Sequence, residues 1–396
     1  MKSRLTSPHL YLSEPLPRQS FWISAFASLW RGGLMILMRL HISRAIKPVV
    51  FLFFSFSVIG LADNGRGENN KVGEERGQST EPLSQSNPPL VGAIRWDGWG
   101  INGEVGKGSE RVLGLAKYQH RAPFFVAEAG TDSIRFKPYS QEIMDTEIDY
   151  AVHAGIDYWA FCWYPPGSGL EVARNLFLSS KRQQRPKWCV ILGTFSFDMG
   201  RDAPWLAAEF AKPEYQKVLD GRPLVYLFQP MPRADLSTLR ELSLKSCGKS
   251  PYVAMMGWTA TSAAQACEAA GADAITRYAG GEGGSWEDYA KVKELIPNVG
   301  IGWDPTPFRD TPTSFYPPVA TDFVGWSATP KQVVAGMEAA FGWIRANPTK
   351  VPANTLLIYA WNEHAEGGWL CPTFTPQGPN TEKIDALHEW MSKQPH

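Results

Sequence analysis

From residue 90 onward, short apolar runs alternate with amphipathic stretches. The runs Val91–Trp96, Ile156–Trp163, Trp188–Phe195, Pro223–Phe228, Tyr252–Gly257, Ala272–Tyr278, Val299–Trp303 and Thr355–Trp361 are rich in β-branched and aromatic residues. They are continuously apolar, without the period-two alternation of a half-solvated strand, which predicts parallel strands buried on both faces. Between them, Ser140–Ala154 puts Met144, Ile148, Ala151 and Val152 on one face at helical spacing. Further helices are expected over Leu170–Lys181, Ala234–Leu244, Trp286–Leu295 and Pro330–Ala346. Ser262 with Gln265, and Thr329 with Gln332, have capping-box spacing, and Pro330 suits a first helical position. Eight β-α units predict an α/β fold of the (β/α)8 barrel (TIM barrel) type as a single catalytic domain over residues 90–396. A doubly wound open sheet is the alternative, but its GxGxxG fingerprint is missing. Gly280–Gly284 reads as a βα loop, lacking that spacing.

Ahead of this body the pattern changes twice. Arg39, Arg44 and Lys47 precede the apolar run Pro48–Ala62, PVVFLFFSFSVIGLA, with small residues Gly60 and Ala62 near its end. A basic region followed by an apolar run too short for a bilayer span predicts a signal peptide within residues 1–62, with an uncleaved N-terminal anchor as the alternative. Met35 and Met38 are internal candidate starts. Export to the periplasm, the medium or the cell surface is expected. Residues 63–89 are almost free of apolar side chains, and a segment that buries so little cannot offset its ordering entropy, so a disordered tether is expected.

Charge sharpens this division. The 39 basic and 39 acidic side chains cancel over the chain, yet seven basic and one acidic lie in residues 1–62. Residues 63–396 therefore hold 32 basic against 38 acidic groups. Such a body has no field for nucleic acid, whose recognition begins with phosphate neutralisation. It also gives no reason to bind anionic membranes, so membrane contact is expected only through an uncleaved anchor. Five cysteines without a CxxC pair exclude a zinc ribbon and a dense disulfide framework; one bridge is allowed, the odd count leaves at least one free thiol, and Cys162 reads as packing.

In such a barrel the chemistry sits at the C-terminal strand ends. Those ends carry Trp96-Asp97-Gly98-Trp99, Trp163-Tyr164, Phe197-Asp198, Arg277-Tyr278, Trp303-Asp304 and Trp361-Asn362-Glu363-His364-Ala365-Glu366. Aromatic rings and carboxylates converging on one rim describe a carbohydrate cleft, and the 16 Trp of the chain supply both core and flat sugar platforms. Glycosidic hydrolysis needs an acid at the leaving oxygen and a second carboxylate at the ring, and Glu363 and Glu366 stand three residues apart after the last strand. Mutual repulsion and burial would separate their pKa values. The rival readings of this stretch are a metal site of Glu363, His364 and Glu366, which lacks HExxH spacing, and a structural turn. No metal or cofactor is expected; His364 is read as an orienting or hydrogen-bonding residue.

The stretch WNEHAEGGWLCP resembles the WNEWxEGxxLEP signature of the WbsX-like glycan-processing proteins and the ExxE motif of glycoside hydrolase family 99, known for endo-α-1,2-mannosidases. Met144–Tyr164 (MDTEIDYAVHAGIDYWAFCWY), Gly300–Asp310 (GIGWDPTPFRD, beside GWDNTPR) and YSQEI at Tyr139–Ile143 are similar to other segments of that group, so the resemblance spans roughly 91–375. It implies a metal-free (β/α)8 barrel acting on glycosidic bonds with retention. Glu363 would deprotonate the sugar's own 2-hydroxyl and Glu366 would serve as acid and then base. Asp304 would bind substrate hydroxyls, with Trp96, Trp163, Tyr164 and Trp303 as walls; Asp97, Trp99, Tyr278, Asn362 and His364 complete the expected substrate-binding set. The chain departs from the pattern at His364, at Cys371-Pro372 and at TFSFD after the third strand, where the group carries Asn-Glu-Asn-Trp. The expected function is an exported, endo-acting retaining glycoside hydrolase of a poly- or oligosaccharide. Alternatives are a glycosyltransferase of the WbsX-like type, or a non-catalytic glycan-binding barrel.

Overall fold

The computed structural model describes residues 87–193, 195–279 and 284–394. The expected leader, the tether up to residue 86 and residues 280–283 of the glycine-rich loop lie outside the described residues.

Eight parallel strands form the centre: β1 (Leu90–Arg95), β2 (Tyr158–Cys162), β3 (Lys187–Leu192), β4 (Arg222–Leu227), β5 (Tyr252–Gly257), β6 (Ala274–Arg277), β7 (Asn298–Gly300) and β8 (Thr355–Tyr359). Their order is β7-β8-β1-β2-β3-β4-β5-β6, with Leu90 opposite Thr355 across the β8–β1 seam. Between β6 and β7 the ring is joined by a shorter contact. The Ile275 amide donates to the Glu294 carbonyl at 2.9 Å and the Ile296 amide to the Ile275 carbonyl at 3.0 Å. The fold is a (β/α)8 barrel.

All eight expected strands form; Tyr252–Gly257 ends where its apolar run ends, and the other seven stop one to three residues before theirs. Inside the ring, side chains must fill the space completely. Gly92 makes room for Tyr158, since a Cβ there would lie 2.1 Å from the phenol ring. The Tyr158 hydroxyl meets those of Tyr226 at 2.8 Å and Thr355 at 3.0 Å, satisfying three buried polar groups at once.

Outside the ring lie α1 (Glu104–Gly114), α2 (Gln141–His153), α3 (Val172–Ser179), α4 (Asp202–Ala211), α5 (Arg233–Cys247), α6 (Ala260–Ala270), α7 (Trp286–Val292), a short α8 (Thr306–Asp310), α9 (Pro330–Ala346) and α10 (Glu382–Met391). The Thr329–Gln332 capping box opens α9, whose Val333, Met337, Ala340, Phe341 and Ile344 form the buried stripe. The other box sits one turn earlier than expected. Thr259 caps α6 and Ser262, expected as the cap, is its third residue, bonding back to the Thr259 amide at 3.1 Å. The helix expected to reach Leu295 stops at Val292, because Leu295 is taken up in the bridge to Ile275. On α2 the buried face includes a charge, Glu147, alongside Met144, Ile148 and Ala151.

That charge belongs to a buried network between β1 and α2. Arg95, fully buried, donates to Glu147 at 2.5 Å, to Asp97 at 2.8 Å and to the Tyr139 hydroxyl at 2.5 Å. Tyr139 and the Trp361 indole in turn donate to Glu147, each at 2.7 Å. The five cysteines are free thiols. No helix of the described residues is long and apolar enough to cross a membrane.

Candidate active site

The chain leaves β8 through Ala360 and Trp361 and folds into a small hairpin at the mouth of the barrel. Asn362–Glu363 pairs antiparallel with Gly368–Trp369, and His364–Glu366 forms a single 3₁₀ turn between them. The Trp361 carbonyl accepts the amides of Leu370 at 2.9 Å and Cys371 at 2.8 Å, which locks the base of the hairpin. Gly367 supplies the positive φ of 85° that ends the turn.

A second backbone supports the first from the β7 side. The Asp304 amide donates to the Glu366 carbonyl at 2.5 Å. A Cβ at Gly302 would sit 1.8 Å from the Gly367 carbonyl oxygen, so this approach requires glycine. Asp304 is itself held: its carboxylate pairs with Arg121 and accepts the Thr306 amide at 3.2 Å, while Arg121 also donates to the Asp304 carbonyl at 3.1 Å. Burial alone would raise the Asp304 carboxyl, but Thr306 and Arg121 outweigh it and hold it below its ordinary value.

The two glutamates are each met by a tyrosine. The Tyr278 hydroxyl donates to Glu363 Oε1 at 3.3 Å, and the Tyr359 hydroxyl donates to Glu366 Oε2. Burial, and after it the nearby Glu366 charge, hold the Glu363 carboxyl well above its usual range. Burial pushes the Glu366 carboxyl up to about 7, against the hydroxyls of Tyr359 and Tyr316, which favour its charged form. Two interacting carboxyls with raised values can share one proton near neutral pH, which puts an acid and a base in one site.

Around them the expected residues divide. Asp97 is buried at the end of β1, and burial pushes its carboxyl up to about 6 despite the Arg95 guanidinium beside it. Its second oxygen, Oδ2, is buried without a hydrogen-bond partner. Asn362 is engaged with the backbone: its Oδ1 accepts the Trp96 amide at 2.8 Å, and its Nδ2 donates to the Trp96 carbonyl at 2.5 Å. Its carbonyl accepts the Trp99 indole at 3.0 Å. These bonds tie the ends of β1 and β8 together. His364 is fully buried with its ring between Trp99 and Trp369, at centroid distances of 5.3 and 6.1 Å. Burial pushes its imidazole down to about 3, so it stays neutral and is no proton donor at neutral pH. Trp99 and Trp163 are buried in packing, Trp163 against Phe197, Trp205 and the Arg174 guanidinium. Tyr164 is buried against Phe195, and Trp96 is half-buried edge-on to Trp99.

Tyr278 and Trp303 instead belong to an aromatic wall. Tyr278 touches Phe228, Tyr359 and Trp258, while Trp303 touches Tyr359 at 5.6 Å and Trp258 at 6.0 Å. Tyr359, Tyr316, Arg121 and Trp258 were absent from the residues expected at the site. Tyr359 carried a signal: it lies four residues after Thr355 on β8, hence on the same inward face. Trp258 directly follows β5, a strand end that the rim residues named above leave out. Tyr316 and Arg121 sit on connecting segments, where no periodicity marks them.

No protein-family model matches the chain, and no curated protein matches it. Among solved structures, the chain is similar to the GH99 endo-alpha-mannosidase from Bacteroides thetaiotaomicron in complex with BIS-TRIS-propane, with a TM-score of 0.49 and 13% identity over 77% of this chain and 97% of that one. Another structure of the GH99 endo-alpha-mannosidase from the same organism gives a TM-score of 0.48 and 14% identity over 76% and 96%. A putative beta-galactosidase from Bacteroides fragilis gives 0.40 and 11% identity over 78% of this chain and 42% of its own.

Proposed function

We propose that the protein is a retaining glycoside hydrolase that cleaves bonds within a poly- or oligosaccharide, using Glu363 and Glu366. The observation that carries this reading is the pair itself: two carboxyls on one hairpin at the barrel mouth, both raised, each hydrogen-bonded by a tyrosine. The raised pair suits proton transfer at neutral pH, because an efficient general acid or base titrates near its working pH.

The pair reacts from the state in which its shared proton sits on Glu366, which removes the neighbouring charge that opposes ionisation of Glu363. In the first step, Glu363 as carboxylate takes the proton of the sugar's 2-hydroxyl, whose oxygen attacks the anomeric carbon. Glu366 as acid gives its proton to the departing glycosidic oxygen. In the second step Glu366 takes a proton from water, the resulting hydroxide opens the anhydro ring at the anomeric carbon, and the 2-oxygen recovers its proton from Glu363. Two inversions give net retention, and both carboxyls return to their starting states. Glu363 occupies the more deeply buried place and Glu366 the half-buried one, which suits the residue that meets both leaving group and water. The basic, apolar leader supports export of this activity from the cytoplasm.

The test is a polysaccharide panel analysed for released oligosaccharides, run on the wild-type protein and on Glu366→Gln. Loss of the general acid should lower hydrolysis of unactivated substrates by about 100- to 10,000-fold while the fold persists. Hydrolysis that survives the change would overturn the assignment. Transfer from a nucleotide-sugar, or glycan binding without cleavage across the panel, would replace it with one of the alternatives.

A further inference from the structure

Two large aromatic side chains are exposed among the described residues, Trp258 and Trp326, and both stand beside Trp303. Trp258 is 51% exposed and 6.0 Å from Trp303 between ring centroids. Trp326 is 44% exposed and lies directly opposite Trp303 in the two-stranded ladder of Gly302–Trp303 with Trp326–Ser327. Residues opposite one another in an antiparallel pair project from the same face. An indole costs free energy when left in water, and single exposed apolar residues need no explanation, but clustered ones at a cleft mark an interaction site.

The cluster is continuous with the carboxyls. Trp303 packs on Tyr359, 5.6 Å away, and Tyr359 holds Glu366. The same backbone segment runs from Trp303 to Asp304, whose amide braces the Glu366 carbonyl. One path of rings therefore leads from the acid outward to solvent. Its side chains are uncharged, so what they offer is flat apolar area with an indole N–H at the edge. A pyranose has that complement: an apolar face of axial C–H groups and a rim of hydroxyls.

We propose that Trp258, Trp303 and Trp326 form a subsite that stacks an uncharged pyranose unit of the substrate chain beyond the bond being cleaved. This inference rests on the glycoside-hydrolase reading and adds to it a substrate requirement: a neutral glycan long enough to lie on the platform and in the carboxylate site together. Binding energy from that remote unit serves to hold the reacting bond in place, so chains too short to reach Trp258 are handled poorly.

Affinity electrophoresis through gels containing neutral polysaccharides (mannan, xylan, mixed-linkage glucan or galactan), with kcat/KM on long and short oligosaccharides of whichever retards the protein, tests this. Wild type and Glu366→Gln should both be retarded. Trp258→Ala and Trp326→Ala, checked for folding by circular dichroism, should lose at least about tenfold in affinity, as buried-face Trp anchors do. The long-to-short ratio of kcat/KM should fall by a similar factor, and Trp258→Phe should recover part of it. Retardation of the Ala variants equal to wild type, or of no protein by any gel, overturns the platform. So does a wild-type dimer in light scattering that Trp258→Ala dissociates, which would assign the patch to self-association. Continued hydrolysis by Glu366→Gln would sink the catalytic assignment while leaving the gel result on Trp258 to stand by itself.

Discussion

The Tyr359 hydroxyl donates to Glu366 Oε2 across the turn that leaves β8. A donor on a carboxylate stabilises its charged form, so this bond works against the burial that raises Glu366 to about 7. Tyr359→Phe removes the donor and lets the carboxyl rise further. If Glu366 is the acid, activity falls as pH rises past its titration, and the alkaline limb of the Tyr359→Phe profile should lie at higher pH than that of wild type. A pH–rate profile of kcat/KM for both proteins checks this; a limb that stays in place or moves down contradicts it.

The same carboxyl links stability to pH. Folded Glu366 keeps its proton to about 7, whereas an unfolded chain releases it near 4.5. Between these values the folded state binds a proton the unfolded state has lost, so its contribution is complete below 4.5 and is lost as pH rises through 7. His364 acts oppositely: lowered to about 3, it contributes fully above 6.5 and loses that as pH falls towards 3. Glu366→Gln should therefore gain stability relative to wild type as pH rises from 5 to 8, by on the order of 1–3 kcal/mol. Urea unfolding of both proteins at several pH values measures the difference, and a constant difference would refute it.

At Gly302 the space for a side chain is taken by the Gly367 carbonyl, 1.8 Å from where a Cβ would lie. Gly302→Ala must push the hairpin away from the β7 segment and disturb the 2.5 Å bond from the Asp304 amide. Overpacking of this kind costs about 1–3 kcal/mol. Activity should fall more than stability does, since Glu366 moves with the hairpin, and thermal unfolding alongside kcat/KM separates the two effects. An Ala variant with wild-type activity would show that the two backbones have room.

Arg95→Met leaves Asp97 and Glu147 buried without their guanidinium. Removing one partner of a buried ion pair costs about 3–5 kcal/mol. The expected result is a clear drop in the denaturant midpoint, detectable by circular dichroism. A midpoint within error of wild type would mean that the carboxyls take up protons without penalty.

Much of the barrel was legible because its strands are buried on both faces, and that leaves a continuous apolar run in the chain. The helices were less so. Nothing in Glu104–Gly114 announces α1, since three of its residues are glycines and its cap is Gly103. The Thr259 cap was missed for Ser262 because hydroxyl residues crowd the start of α6, and spacing alone does not choose between them. At the mouth, the ExxE pair was visible by its place after the last apolar run. What Asn362 and His364 do was not. Both carry polar atoms that look like ligands for a sugar, but only the fold shows that Asn362 clips the Trp96 backbone and that His364 lies under two indoles. Glu147 likewise looks like an exposed helix residue until Arg95 is placed opposite it.

The β8–β1 seam joins Leu90 to Thr355, 265 positions later. A chain emerging from the ribosome must carry β1 with one edge unpaired until nearly the whole domain has been made, the long-range closure that slows folding and exposes strands to wrong partners. Glu363 and Glu366 arrive on the hairpin just behind that last strand, so a nascent chain assembles its carboxyl pair only as the barrel seals.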